Sequence, residues 1–97
     1  MKVGVIAKLK IQPGMNEAFE QAFLNYQQTV IHSESGNIFF GLHRSREDAC
    51  AYTVMEQYDD QAALDVHQRA EYYTNIPETF GQYMAGPPEI DFLDGVS

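Results

Sequence analysis

A chain of 97 residues holds one domain, with no room for a nucleotide-binding domain beside a separate catalytic one. Its 44% hydrophobic and 21% charged residues are the balance of a folded domain rather than a disordered tail. Fourteen acidic residues against six Lys and Arg give a net charge of −8, which repels phosphate backbones and offers anionic lipid no basic patch, so neither nucleic acid nor a membrane surface is an expected partner.

Residues 2–11 alternate, with Val3, Val5, Ala7, Leu9 and Ile11 on one side and Lys2, Gly4, Ile6, Lys8 and Lys10 on the other. That period predicts a strand, stopped by Pro13-Gly14. Asn16 is placed to cap a helix whose apolar stripe, Met15, Ala18, Phe19, Ala22, Phe23, Tyr26 and Val30, ends near His32 or Ser33. Ser35-Gly36-Asn37 turns the chain into a second strand, Asn37–His43, in which Ile38, Phe40 and Leu42 oppose Phe39, Gly41 and His43. A polar connection, 44–48, leads to a third strand, Ala49–Tyr58. Asp59-Asp60 then caps a second helix carrying Ala62, Ala63, Leu64, Val66 and His67. Residues 70–84 read as short helix around Pro77, which belongs at a helix start or kink. Gly86-Pro87-Pro88 breaks it, and Glu89–Leu93 is a last strand before a short tail.

This order predicts an α+β fold of the ferredoxin-like βαββαβ type, with four antiparallel strands and both helices on one face. The other face should be polar if it meets water, yet whichever set faces the helices, the opposite set keeps residues such as Ile6, Phe39 or Phe40, and Met55 or Val54. A second copy covering that face, as a homodimer, is therefore expected. Cys50 is the sole cysteine, which excludes an intrachain disulfide and a paired-Cys zinc motif. The N-terminus enters a strand without a signal-peptide pattern, and no run approaches a membrane span, so a cytoplasmic protein is expected.

Several segments, in order, resemble the antibiotic biosynthesis monooxygenase (ABM) domains. A first strand ending at Ile11-Gln12-Pro13-Gly14 precedes an amphipathic helix. Glu34-Ser35-Gly36 is similar to the family's Glu-Pro-Gly, and Phe40-Gly41-Leu42-His43-Arg44-Ser45 to its strand ending in Arg-Ser. Met55-Glu56-Gln57-Tyr58-Asp59-Asp60 resembles Glu-x-Trp-x-Asp/Glu, Ala63-Leu64-Asp65-Val66-His67 the helix with a recurrent His, and Pro88-Glu89-Ile90 the closing strand. The likeness runs from residue 3 to about 94, so residues 1–97 are expected to form a single ABM-like domain. Tyr58 stands where Trp is common, Ser35 where Pro is usual, and Tyr72-Tyr73 where a His-Phe pair is usual. These departures bear on the pocket wall, so no particular substrate carries over.

The resemblance implies a dimeric α/β barrel and cofactor-independent oxygenation of a quinol or polyphenol-like small aromatic molecule, with dioxygen as partner. No Gly-x-Gly-x-x-Gly is present and no His/carboxylate set has metal spacing, so no cofactor and no metal are expected. The electrons for dioxygen must then come from the substrate, once it is deprotonated. That requires a base, an aromatic pocket and exclusion of water. His67 matches the recurrent family His, and imidazole exchanges protons near neutral pH, so it is the candidate base; a purely structural helix His is the competing reading. Tyr52, Tyr58, Tyr72, Tyr73 and Phe80 are candidates to line the pocket, or else plain core. Tyr83 belongs to the same aromatic set. Glu56, among apolar neighbours, needs a partner such as Arg44 or His67 and is a candidate substrate contact. Asn37 and His43 complete the substrate-binding candidates, against readings as turn chemistry and as a solvated strand end. Isomerisation of a small carbonyl compound, and a non-catalytic dimeric binding or stress-response domain for a hydrophobic small molecule, remain open. Haem degradation by relatives of this fold uses a first-strand Asn, a Trp and a His. This chain has Ala7, no Trp, and no His over 72–75.

Overall fold

A computed structural model describes residues 1–97. Four strands, β1 (Lys2–Lys10), β2 (Asn37–Arg44), β3 (Ala51–Tyr58) and β4 (Glu89–Gly95), form one antiparallel sheet in the order β2-β3-β1-β4. Helix α1 (Asn16–Ser33) links β1 to β2, and α2 (Gln61–Arg69) follows β3. Between α2 and β4 the chain forms α3 (Glu71–Thr74), α4 (Ile76–Phe80) and a 3-10 turn over Gly81–Tyr83. This is the ferredoxin-like βαββαβ arrangement.

The alternation in the strands decides which side chains meet the helices. Val3, Val5 and Ala7 of β1, Phe40 of β2, and Tyr52, Val54, Glu56 and Tyr58 of β3 are all buried. Helix α1 lays Phe19, Phe23, Tyr26 and Val30 on them, a three- and four-residue stripe that keeps one face toward the sheet. The Phe23 and Phe40 rings stack with centroids 5.4 Å apart. Helix α2 contributes only Leu64 and His67 to the interior, and Leu64 packs with Val3, Val5 and Tyr58. Asp60 caps it by accepting the Ala63 N–H at 2.9 Å.

Several boundaries differ from the sequence reading: β1 ends at Lys10 rather than at residue 11, β2 runs on to Arg44, and three others have a visible cause or partner. Asn16 does not cap α1; it is the first helical residue. Its side-chain amide instead donates to the Ala49 carbonyl at 2.6 Å and to the Tyr52 hydroxyl at 2.8 Å, pinning the start of α1 to the start of β3. β3 begins at Ala51 rather than Ala49, because Asp48 accepts the Cys50 N–H on its side chain and the Ala51 N–H on its carbonyl, which holds the chain in a turn. β4 continues to Gly95, paired with Lys2.

The outer face of the sheet is apolar at its centre. Ile6 pairs with Met55, and Met55 with Gly41; Phe39, Met55 and Leu93 are 48%, 38% and 49% exposed.

The turn after α1 lies against α2. A β-carbon on Gly36 would sit 2.6 Å from the Ala63 β-carbon, so the two elements approach closely only because Gly36 has no side chain. Gly36→Ala is expected to push α2 outward and to cost about 1–3 kcal/mol, as overpacking does, read as a lower urea midpoint. An unchanged midpoint would show that the contact is soft.

Candidate active site

In the last turn of α2, His67 faces inward, 3% exposed. Its Nδ1 lies 2.8 Å from Oε2 of Glu34, the residue that ends α1. Glu34 is placed there by the helix terminus itself: its N–H still bonds the Val30 carbonyl at 3.0 Å, while its extended backbone turns the side chain inward. The Tyr72 hydroxyl of α3 donates to the same Glu34 oxygen. Two groups that converge on one carboxylate oxygen must both bring hydrogens, so Nδ1 carries a proton, and in the neutral imidazole Nε2 is the nitrogen that holds the lone pair. Nε2 faces Glu56 of β3, whose Oε1 is 4.0 Å away and accepts the Tyr58 hydroxyl at 2.7 Å. The result is one line, Tyr72–Glu34–His67–Glu56–Tyr58, spanning α3, the end of α1, α2 and β3, buried except at the half-buried Tyr72.

Electrostatics follow from the burial. Loss of water pushes the Glu56 carboxyl up to about 7; the Tyr58 hydrogen bond pulls against this, and the Glu34 charge adds to it. Burial, the Glu56 charge and the hydrogen bond to it hold the Tyr58 hydroxyl well above the usual phenol range. Burial and the hydrogen bond to Glu34 do the same for Tyr72. Burial and the charges of Glu56 and Glu34 raise Tyr26 as well, so these tyrosines stay protonated donors at neutral pH. The Tyr26 hydroxyl and Oε1 of Glu34 are buried without any partner in the protein.

His67 and Glu56 open onto a cavity of about 520 Å³ between the sheet and the helices. Phe23, Tyr26, Phe40, Tyr73, Ile76 and Phe80 supply much of its wall, and Thr74, Pro77, Gly81, Pro88 and Ile90 lie along it on the exposed side. Such a space suits a flat apolar ring system, with polar groups gathered at one end. No group of three or more His, Cys, Asp or Glu side chains is arranged to hold a metal ion.

Of the residues singled out from sequence, His67, Glu56, Tyr73 and Phe80 line the cavity. Tyr58 and Tyr72 stand behind it, holding the two carboxylates. Three lie elsewhere. The Tyr52 ring packs edge-on against Phe19, and its hydroxyl bonds Glu20 at 2.5 Å. Asn37 donates to the Phe39 carbonyl within its own strand. His43 is exposed at the far end of β2 on the same side as Gly41, away from the helices. Arg44 pairs with Glu20 at 3.4 Å rather than with Glu56. Tyr83 packs against Phe19 in the core. Glu34 and Tyr26 were not singled out for the site. The first reads locally as a turn residue and the second as one more member of the α1 stripe.

Residues 2–78 match the family described as Antibiotic biosynthesis monooxygenase (ABM). A crystal structure from Caulobacter crescentus CB15, which carries that family's name, is 35% identical and superposes with a TM-score of 0.92, covering 99% of this chain and 91% of that one. A second of that name, from Nitrosomonas europaea, is 22% identical with a TM-score of 0.88, covering 98% and 90%. A conserved protein from Methanosarcina mazei shares the fold at 22% identity and a TM-score of 0.84, covering 96% and 91%. Comparison with curated proteins gave no match. The matched span, together with the order of strands and helices along it, places this chain in the antibiotic biosynthesis monooxygenase family.

Proposed function

We propose that the protein oxygenates a quinol or polyphenol-like small aromatic molecule without a bound cofactor, with His67 as the base. The observation that carries this reading is the His67 imidazole, held through Nδ1 by Glu34 and aimed through Nε2 at the polar end of an apolar cavity. A phenol bound there gives its proton to Nε2. The Glu34 carboxylate stabilises the imidazolium that forms, and the phenolate is far easier to oxidise than the phenol. The ring then passes electrons to dioxygen and takes up one oxygen atom. For a quinol the balance is quinol plus dioxygen to hydroxyquinone plus water, so one oxygen is gained and two hydrogens are lost. Glu56 and Tyr73 border the bound ring, and the aromatic wall keeps water from the reactive anion. A homodimer is part of this proposal, since Phe39, Met55 and Leu93 give the outer face the apolar character of a surface that another copy covers.

Metal-free protein supplied with a panel of quinols under ¹⁸O-labelled dioxygen is expected to consume oxygen and place one labelled atom in the product. Label found only in water, or no consumption across the panel, would overturn the assignment.

One observation favours a second reading. His67 Nε2 and a carboxyl raised to about 7 lie 4.0 Å apart, a pair able to move a proton between neighbouring carbons of a carbonyl compound. Isomerisation of that kind leaves product mass unchanged. A protein that only binds its aromatic ligand would show affinity without any product.

A further inference from the structure

We infer that the cavity admits uncharged aromatic molecules and turns away their carboxylated analogues, with Glu56 as the residue that sets this preference. The inference rests on the reading of the cavity as the substrate site. The chain has six Lys and Arg residues, and none lines the cavity. Lys2 and Lys8 point to the outer face of β1, Lys10 pairs with Asp48, and Arg44 pairs with Glu20. Arg46 and Arg69 are exposed, in the β2–β3 connection and at the end of α2.

The wall carries one carboxylate, Glu56, and one imidazole, His67. With Nε2 bare, His67 brings no positive charge to a ligand, and Glu34 and Glu56 lie on either side of it, at 2.8 and 4.0 Å. Apart from the His67 imidazole, no basic side chain is packed around Glu56. Its cross-strand neighbours are Val5 on β1 and Phe40 on β2, both apolar. Tyr58 on its own strand donates a hydrogen bond but no charge. Tyr26 of α1 and Tyr73 of α3 are the remaining titratable groups on the wall.

An anion entering this space leaves its water behind and meets a carboxylate in a low-dielectric surrounding, where like-charge repulsion is large. A neutral phenol does the opposite. Its O–H finds acceptors in His67 Nε2 and Glu56, and the unpartnered Tyr26 hydroxyl is a donor in search of an oxygen. Ionisation of the phenol inside the cavity adds no net charge, since the proton stays on His67. Because Glu56 ionises near 7, the discrimination should grow as pH rises through neutrality.

The test is binding without oxygen, by calorimetry, of a hydroxynaphthoate and its carboxamide, which match in size and differ in charge. At about pH 8 the carboxamide is expected to bind at least about tenfold more tightly, and at about pH 6 the gap should narrow. Glu56→Gln should narrow it at the higher pH. Thr74→Lys, a change at an exposed position on the cavity wall, should admit the carboxylate while leaving the Glu56 pocket intact. Equal affinities at the higher pH, a gap that neither variant moves, or failure of both probes to bind would overturn the inference. Carboxamide binding with the expected preference, but no oxygenation of any quinol in air, would instead remove the oxygenase reading and leave the charge selection standing.

Discussion

Replacing His67 by alanine is expected to lower kcat for quinol oxygenation by about 10²–10⁴-fold, the usual worth of a positioned general base. The affinity of a neutral aromatic ligand should fall far less, by about tenfold at most, since only one hydrogen-bond acceptor is lost and the ring-binding wall of Phe23, Phe40, Ile76 and Phe80 is untouched. The variant also loses a buried partner of Glu34. One-sided removal of a buried pair commonly costs about 3–5 kcal/mol, so melting must be followed alongside activity. Added imidazole separates the two effects. It can fill the vacated space between Glu34 and Glu56, and it should restore part of the rate if His67 acts as a base. A His67→Ala protein that is folded, binds ligand and turns over at the parent rate would remove the residue from the chemistry.

The second large effect is on stability, and its sign follows from Glu56. Burial raises this carboxyl from 4.5 to about 7, so the folded protein retains a proton that the unfolded chain has already released. The Glu56 contribution to the unfolding free energy therefore falls as pH rises from about 4.5 to about 7, and is flat above that. A shift of that size corresponds to about 3 kcal/mol at the alkaline end. Glu56→Gln keeps the shape and keeps an oxygen for the Tyr58 hydroxyl, but it never ionises. Urea denaturation is expected to show the variant and the parent close together at about pH 5, with the variant more stable by up to about 3 kcal/mol at about pH 8. A difference that does not vary with pH would show that Glu56 is not held up by its surroundings. The parent chain thus keeps a destabilising carboxyl at the wall of its cavity, as expected of a group retained for binding or chemistry rather than for the fold.

Much of the fold was legible from alternation and punctuation. The β1 period, the α1 stripe, the Asp60 cap and the Pro77 position each needed only residues close in sequence. The same parity also held information about the site. Glu56 and Tyr58 share a side with Tyr52 and Val54, and all four are buried under the helices. Parity gives the face of a strand but not the position along it. Tyr52 lies at the α1 end of β3, tied to Asn16 and Glu20, two pairs away from the cavity's polar end at Glu56. His43 shares its parity with Phe39, so once Phe40 is known to point inward, His43 is assigned to the outer face.

Glu34 was out of reach for a different reason. Its partners His67 and Tyr72 are 33 and 38 residues away, and they reach it through the packing of Leu64 on the sheet and the close approach of the Gly36 turn to Ala63, which set α2 over the end of α1. The Glu34-Ser35-Gly36 segment gave the turn. That its glutamate is the inward anchor of the site is a tertiary fact. Asn16 shows the same limit in miniature. A residue type that favours caps was placed one position later and used to join helix to strand.

As the proposed base, His67 must present an unprotonated Nε2 to the cavity while Glu34 holds the proton on Nδ1. The ¹⁵N spectrum of the His67 imidazole, at about pH 8 where free imidazole is neutral, reads this directly. The expected result is the Nδ1–H tautomer with Nε2 bare in the free protein, and a proton arriving on Nε2 when a phenol is bound without oxygen. A proton fixed on Nε2 with Nδ1 bare would contradict it, because the nitrogen that faces the ligand would then have no lone pair with which to take a proton.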